Sequence, residues 1–286
     1  MPKGLGKGYS QLTEKDKKKI LDLYASGVKC SEIIRIVKTT KRAVPQVLRD
    51  NHINTARKNR YTLNERYFDE IDTERKAYWL GMIASDGCIT NVNYFALSLG
   101  DKEVVEALKE DLNYTGRVYE PITQDIHKRP MYRINFSSKI LCDGLRENGI
   151  HENKSLTYND LPEIDKKLMP HFIRGYFDGD GSVFSYITNS VHCGRRYKYK
   201  KWGANIIATL PFCEKLQELF LEELDYKCHI HQSYKTDCMY YICFYRKTAL
   251  KSFYEYMYSG ATIWMPRKKQ KWEDFLSACD EVTRVA

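Results

Sequence analysis

The chain has 286 residues, of which 43% are hydrophobic, and it has a formal net charge of +9. This length allows about two compact domains with sizeable cores, so the composition excludes a globally disordered protein. No apolar run approaches the roughly 20 residues that span a bilayer, and the first ten residues lack the apolar stretch of a signal peptide. We therefore expect a soluble intracellular protein, located in the cytoplasm, the nucleoid or an organelle.

The distribution of charge indicates the kind of partner, and the spacing of the cysteines indicates whether the chain binds zinc. Residues 1–60 hold 15 Lys and Arg against 5 Asp and Glu, whereas the remainder of the chain is nearly neutral. Such a concentration of positive charge is typical of proteins that bind a polyanion. The nine cysteines include no C-x-x-C pair, which indicates reduced core thiols rather than a zinc site.

The front of the chain reads as three short helices. The first is capped by Thr13 and ended by Gly27, the second begins near Ser31, and the third follows Thr40. Pro45 predicts that the third helix begins late or is kinked. The order resembles the helix-turn-helix of resolvases and homeodomain-like regulators, with a small interaction module as the alternative. In a helix-turn-helix, the outward residues that would face the major groove or its phosphates are Lys41, Arg42, Gln46 and Arg49.

A polar, basic stretch without clear periodicity follows the helices. This composition predicts a linker over residues 54–73. The basic residues of the linker that are candidates for contact with DNA phosphates are Arg57, Lys58 and Arg60. The helix-turn-helix domain would then cover residues 1–53.

Two later stretches, AYWLGMIASDGCI and FIRGYFDGDGSVF, repeat one pattern: an apolar helical run with an internal glycine that ends in Asp-Gly. The glycine after each acid predicts a left-handed helix stop. If Gly81 and Gly175 let the two helices pack closely, Asp86 and Asp180 lie side by side. Two such carboxylates repel each other unless a proton or a cation bridges them. A hard divalent metal such as Mg²⁺ meets this need and suits phosphate chemistry.

The residues beyond these helices also pair up in the same order. NYFALSLGDKEVVEALKEDLNY matches GANIIATLPFCEKLQELFLEELDY, and MYRINFSSKILCDGL aligns with MYYICFYRKTALKSF, which superposes Lys139 on Lys247. Each half therefore reads α-β-β-α-β-β-α, the first over residues 74–160 and the second over 161–286. The second half is longer around VHCGRRYKYKK, which predicts a basic, aromatic loop. The fold class is then α+β, with two pseudo-symmetric halves that match the two-fold symmetry of a DNA backbone.

The motifs WLGMIASDG and IRGYFDGDG resemble the paired signatures of the LAGLIDADG homing endonucleases in their single-chain, two-motif form. The resemblance covers about residues 70 to 275, including ENKS at 152–155 and GATIWMPRKKQ near the C-terminus. It implies a pair of sheets that form a DNA-binding β-saddle. It also implies a metal-dependent, site-specific double-strand DNA endonuclease, encoded by a mobile intron or a free-standing element.

The resemblance also implies roles for individual residues. Asp86 and Asp180 would hold the divalent metals between the two scissile phosphates, helped by the backbone carbonyls of Ser85 and Gly179. Mg²⁺ would be the cofactor, Mn²⁺ would substitute for it, and Ca²⁺ would support binding without cleavage. A water on each strand would attack phosphorus in line.

Basic residues around the acids would support this chemistry. Lys139 and Lys247 look like the family's peripheral lysines, which orient the water or offset phosphate charge. The first motif departs from the family pattern at Ala84 and Ser85, where Asp-Ala is usual. The second motif keeps the acid, Asp178, which we interpret as a helix-end or packing acid.

The partner implied is double-stranded DNA with a long asymmetric target site, bound by a monomer. Candidate DNA contacts in the saddle are Arg117, Arg133, Arg195, Arg196, Lys198, Lys200 and Lys201. Two alternatives with the same fold remain open, a non-catalytic DNA-binding regulator and an RNA-splicing maturase.

Overall fold

The chain forms two compact units, residues 1–60 and 61–286. The computed structural model describes residues 6–53, 61–120, 130–192, 195–234 and 236–284. Each unit buries its own hydrophobic core. Among these residues, no helix is both long enough and apolar enough to cross a membrane.

The first unit contains the helices α1 (Glu14–Ala25), α2 (Cys30–Val37) and α3 (Ala43–Asp50). The side chain of Thr13 accepts a hydrogen bond from the N–H of Asp16 and caps α1, as the sequence predicts. Pro45 lies in the first turn of α3, where a backbone N–H has no partner within the helix, so the proline fits there. The three helices pack around buried aliphatic side chains such as Ile20, Ile33 and Leu48.

The second unit begins with an irregular segment that the sequence assigned to the linker. Tyr67 and Phe68 are buried in the main core, and Tyr61 and Leu63 pack against it. The N–H of Thr62 also donates to the hydroxyl of Thr115. The predicted linker over 54–73 is therefore too long, because residues from Tyr61 onward belong to the second unit. The sequence did not indicate this, since the spacing of the apolar residues has neither a helical nor a strand period.

The first half of this unit contains α4 (Glu74–Asp86), β1 (Gly87–Ile89), β2 (Tyr94–Leu99), α5 (Lys102–Asp111), β3 (Tyr132–Ser137) and α6 (Lys139–Glu147). Its strands form an antiparallel sheet in the order β1-β2-β3. Where the sequence predicts another strand, between α5 and β3, the described residues show an isolated antiparallel bridge between Tyr119 and Arg133. Part of that segment, residues 121–129, lies outside the described ranges.

The second half contains α7 (Met169–Asp180), β4 (Gly181–His192), β5 (Arg195–Ala208), α8 (Leu210–Leu224), β6 (His229–Gln232), β7 (Tyr240–Phe244), α9 (Lys247–Tyr258) and α10 (Pro266–Arg284). Its sheet has the order β4-β5-β7-β6 and is antiparallel. Because β5 pairs with β7 only over Ala204–Ala208, the rest of β4 and β5 extends as a two-stranded hairpin. The predicted basic loop is this hairpin, which fits the β-prone tyrosines and alternating side chains of its sequence.

Helices α4 and α7 pack backbone against backbone at the centre of the unit. A Cβ on Gly81 would lie 2.0 Å from the carbonyl oxygen of Phe172, and one on Gly175 would lie 1.9 Å from that of Tyr78. The predicted close approach at the two glycines is confirmed. Both residues must be glycine, because a methyl group at either position would overlap the facing helix.

The glycines that follow the two acids do not adopt the predicted left-handed conformation. Gly87 has φ −75° and Gly181 has φ −92°, both in the extended region. The prediction was wrong because each helix continues directly into a strand instead of turning back. Here glycine avoids a steric clash, since a Cβ on Gly87 would lie 2.7 Å from the carbonyl oxygen of Ile83 and one on Gly181 would lie 2.3 Å from the ring of Phe177.

Candidate active site

Asp86 and Asp180 are the last residues of the two packed helices α4 and α7. The close packing brings the two helix ends together. Oδ2 of Asp86 lies 2.8 Å from the point that a Cβ on Gly179 would occupy, so this carboxylate sits against the end of α7. The structure thus places side by side the two acids that the sequence singles out.

The electrostatics of this acid pair disfavour two negative charges. Burial raises the pKa of Asp86 above its ordinary value. Burial and the charge of Asp86 raise the pKa of Asp180 to about 6. Asp86 is exposed at the surface even though protein atoms surround its carboxylate, so its pKa shift is smaller in consequence than that of the half-buried Asp180. No hydrogen bond joins either carboxylate to another described residue, so both retain free lone pairs for a proton or a cation.

A buried lysine lies at the end of α4. Lys154 opens a short 3₁₀ turn, Lys154–Leu156, and only 6% of its surface is exposed. Its Nζ donates to the backbone carbonyl of Ser85 at 2.7 Å. The positive charge of Lys154 offsets part of the rise in the pKa of both acids and opposes their mutual repulsion. A cation at this end of a helix also interacts favourably with the helix dipole.

A second buried lysine occupies the matching place at the end of α7. Lys268 lies in the first turn of α10, is 5% exposed, and donates from Nζ to the carbonyls of Phe177 at 2.7 Å and Gly179 at 2.9 Å. Burial lowers its pKa to about 8. Lys154 follows α6 and Lys268 follows α9, and each donates to the carbonyl of the residue that precedes one of the two acids.

Sequence reasoning missed both of these lysines. It chose Lys139 and Lys247, which the structure places at the N-termini of α6 and α9 rather than beside the acids. Lys139 is exposed and pairs with Asp143. Lys247 donates to the carbonyl of Cys279 at 3.0 Å. The usable signal was in the stretches ENKS and PRKKQ, which contain the two buried lysines but stand far from the motifs.

Asp178 differs from the acid pair in its surroundings. It is completely buried, and Oδ2 accepts hydrogen bonds from the Tyr78 hydroxyl at 2.9 Å and from the N–H of Met265 at 2.7 Å. Burial raises its pKa to about 6. These contacts agree with our interpretation of Asp178 as a packing acid, since it links α7 to α4 and to the segment before α10.

The donor set at the acid pair fits a hard divalent cation. Two carboxylates, neither of them hydrogen-bonded to any residue in the described ranges, belong to the residues that follow Ser85 and Gly179 in the chain. Each carbonyl of Ser85 and Gly179 already accepts a lysine hydrogen bond but has a second lone pair. Over the described ranges, no three His, Cys, Asp or Glu side chains gather into one cluster. Carboxylate and carbonyl oxygens are the kinds of ligand that Mg²⁺ takes in proteins, where it usually keeps several of its waters.

The basic residues predicted to contact DNA are spread over several surfaces. Arg133 lies on β3 and Arg117 in the irregular segment between α5 and β3. Both are exposed, and Arg133 donates to the hydroxyl of Tyr94. Along the hairpin, alternation puts Arg196, Lys198 and Lys200 on one face and Lys201 on the other, and all four are exposed. Arg195 begins β5.

The predicted DNA contacts in the front part of the chain are only partly within the described residues. Lys41, Arg42 and Arg49 are exposed around α3, and Gln46 donates to Asp50 on the same helix. Arg57, Lys58 and Arg60 lie outside the described residues.

Comparison with known proteins identifies the fold. No family model and no curated protein matches the sequence. The LAGLIDADG meganuclease I-AabMI, solved bound to uncleaved DNA, superposes with a TM-score of 0.52 at 14% identity, over 73% of this chain and 91% of that one. The homing endonuclease I-LtrWI, bound to target DNA, gives 0.51 at 14% identity, over 77% and 92%. The meganuclease I-CpaMI, bound to uncleaved DNA, gives 0.50 at 12% identity, over 73% and 92%. The chain therefore has the α+β fold of the LAGLIDADG homing endonucleases.

Proposed function

We propose that this chain is a site-specific double-strand DNA endonuclease of the LAGLIDADG homing endonuclease family, in its single-chain, two-motif form. The observation that carries the proposal is the acid pair itself. Asp86 and Asp180 end two packed helices, and each helix end is contacted by a buried lysine, Lys154 or Lys268. The similar structures were solved with DNA bound, which supports double-stranded DNA as the partner.

The acid pair would hold the divalent cation. Asp86 and Asp180 would supply carboxylate oxygens, with help from the carbonyls of Ser85 and Gly179. A divalent cation held by these oxygens, with Mg²⁺ as the expected one, would supply Lewis acidity for activating water and for stabilising the charge that develops on a phosphate. We expect Mn²⁺ to support cleavage, and Ca²⁺ to support binding without cleavage.

The chain's own cations would complete the electrostatics of the site. Lys154 and Lys268 are held in place by hydrogen bonds to backbone carbonyls, so their ammonium groups are preorganised. A fixed charge in a partly desolvated site interacts more strongly with a phosphate than the same charge in water does. Each lysine would offset the negative charge that builds up at one scissile phosphate.

DNA recognition would come from both units. The sheets of the two halves would form a saddle along a long asymmetric site, and the two motifs of one chain would allow it to act as a monomer. The three N-terminal helices would form a helix-turn-helix that adds contacts through the surface around α3. We propose that a mobile intron or a free-standing mobile element encodes the protein.

Selection from a randomised duplex library tests the proposal. The purified full-length chain is incubated with the library in Mg²⁺, in Ca²⁺ and in EDTA, and cut and bound molecules are sequenced separately. We expect double-strand breaks at one long sequence in Mg²⁺, and binding alone at the same sequence in Ca²⁺. Specific binding without cleavage in any metal would instead favour a regulator or a maturase.

A further inference from the structure

Asp178 connects the packed helices to the segment that precedes α10. Its buried Oδ2 accepts hydrogen bonds from the N–H of Met265 and from the hydroxyl of Tyr78, while Oδ1 has no hydrogen-bond partner among the described residues. An unpaired oxygen on a buried carboxylate is unfavourable. The two hydrogen bonds to Oδ2 are therefore the contacts that stabilise this buried carboxylate.

The Met265 contact fixes the residue that immediately precedes α10 to the carboxylate of Asp178. Met265 immediately precedes this helix, and its carbonyl accepts a hydrogen bond from the backbone N–H of Lys268 at 3.0 Å. The ammonium of Lys268 in turn donates to the carbonyls of Phe177 and Gly179, the two neighbours of Asp178 in the chain. Asp178 thus anchors the backbone that presents Lys268 to the end of α7.

The first half of the unit has no such anchor. Ala84 occupies the place that corresponds to Asp178, two residues before the acid of the pair. Lys154 comes from a short 3₁₀ turn and donates to a single carbonyl, that of Ser85. The two lysines are therefore equivalent in position but are held in different ways.

We propose that Asp178 is a positioning residue for Lys268, so that its loss slows cleavage of one DNA strand and spares the other. This inference rests on the proposed function, in which each lysine serves one scissile phosphate. It does not require Asp178 to touch DNA, metal or water. The effect is transmitted through Met265 and the first turn of α10. The negative charge of Asp178 adds to it, because this charge opposes the lowering of the Lys268 pKa by burial.

Strand-resolved cleavage tests the proposal. A duplex with the selected site, labelled differently on its two strands, is cut by the full-length wild type, by Asp178→Ala, by Lys268→Met and by the double variant. Because a small misplacement of a catalytic group has large effects, we expect Asp178→Ala to slow one strand about tenfold. The other strand should change less than about twofold, and nicked duplex should accumulate. The slowed strand should be the one that Lys268→Met slows, and the double variant should be no slower than Lys268→Met alone.

Two further variants separate positioning from folding. Tyr78→Phe removes one hydrogen bond to the same carboxylate oxygen but leaves the Met265 contact, so its strand ratio should stay that of the wild type. Asp178→Asn preserves volume and an oxygen acceptor, and it should slow the same strand to a smaller extent. This variant also provides the test if Asp178→Ala does not fold.

The proposed role is wrong if both Asp178 variants slow the two strands equally, or if Asp178→Ala slows cleavage further when Lys268 is already absent. A wild-type protein that cuts neither strand would overturn the proposed function, and this role with it. A wild-type protein that cuts both strands, with variants that respond symmetrically, would overturn this role alone.

Discussion

Gly175 faces the backbone of Tyr78 at a distance that leaves no room for a side chain. The carbonyl oxygen of Tyr78 would lie 1.9 Å from a Cβ at position 175, and the mirror contact places the carbonyl of Phe172 2.0 Å from a Cβ at position 81. The helices α4 and α7 can therefore pack this closely only because positions 81 and 175 carry no Cβ. The distance between the two helices determines how closely the two acids approach.

Adding one methyl group at either glycine should destabilise the second unit. We expect Gly81→Ala and Gly175→Ala each to lower the free energy of unfolding by about 3 kcal/mol, because the helices must separate along a close-packed interface. Urea denaturation followed by tryptophan fluorescence measures this. Gly100→Ala is the matched control, since a Cβ there meets nothing closer than 3.8 Å. A loss as small for the helix glycines as for the control would contradict the packing described.

Much of this arrangement could be predicted from the sequence. Gly81, Gly175 and the two terminal acids stand in register within a duplicated pattern, and a local repeat of this kind is visible without coordinates. The backbone conformation after each acid could not be read in the same way. Whether Gly87 turns back or continues into a strand depends on the sheet it joins, and the sheet is a non-local structure.

The two buried lysines show a different limit of sequence reasoning. Lys139 and Lys247 align with each other in the duplicated sequence, and the structure places them at the N-termini of α6 and α9. Lys154 and Lys268 lie in segments that follow α6 and α9, and the fold brings these segments back to the ends of α4 and α7. The stretches ENKS and PRKKQ contain both lysines, but their hydrogen bonds to the carbonyls of Ser85, Phe177 and Gly179 are non-local contacts that only the folded chain shows.

The choice between the two pairs of lysines can be tested directly. We expect Lys154→Met and Lys268→Met each to slow cleavage about 100-fold, because each removes a preorganised charge near a scissile phosphate. Lys139→Met and Lys247→Met should remain within about twofold of the wild type. Single-turnover cleavage of the selected duplex measures all four variants. The reverse ranking would restore the assignment made from sequence.

The acid pair should make stability depend on pH when no metal is present. The pKa of Asp180 is raised to about 6 in the folded state, so the folded protein binds more protons than the unfolded chain between about pH 4 and pH 6. Stability should therefore fall as the pH rises through this window. In EDTA at pH 7.5, Asp180→Asn should be more stable than the wild type by roughly 1–2 kcal/mol, since it removes a poorly solvated charge. The difference should vanish near pH 4, and urea denaturation at both pH values checks it. A constant difference at all pH values would show that the charge of Asp180 is not its source.

The surface around α3 should contribute to the salt dependence of DNA binding. We expect Lys41→Ala/Arg49→Ala to weaken binding and to reduce the slope of log K against log salt by about 1 to 2, because fewer counterions are released. Lys18→Ala/Lys19→Ala removes the same charge from exposed positions on α1 and should leave the slope nearly unchanged. Fluorescence anisotropy with the selected duplex measures both variants. If both double variants reduced the slope equally, the first unit would attract DNA through its overall positive charge rather than through the surface around α3.

The central claim is that Asp86 and Asp180 form the catalytic pair. The most direct test measures cleavage and binding of the selected duplex by Asp86→Asn and by Asp180→Asn in Mg²⁺. Asp225→Asn is the control, because this exposed acid has φ +49°, which Asn also tolerates. We predict that both pair variants lose double-strand cleavage and retain DNA binding, while the control cuts like the wild type. Double-strand cleavage at the wild-type rate by either pair variant would contradict the account.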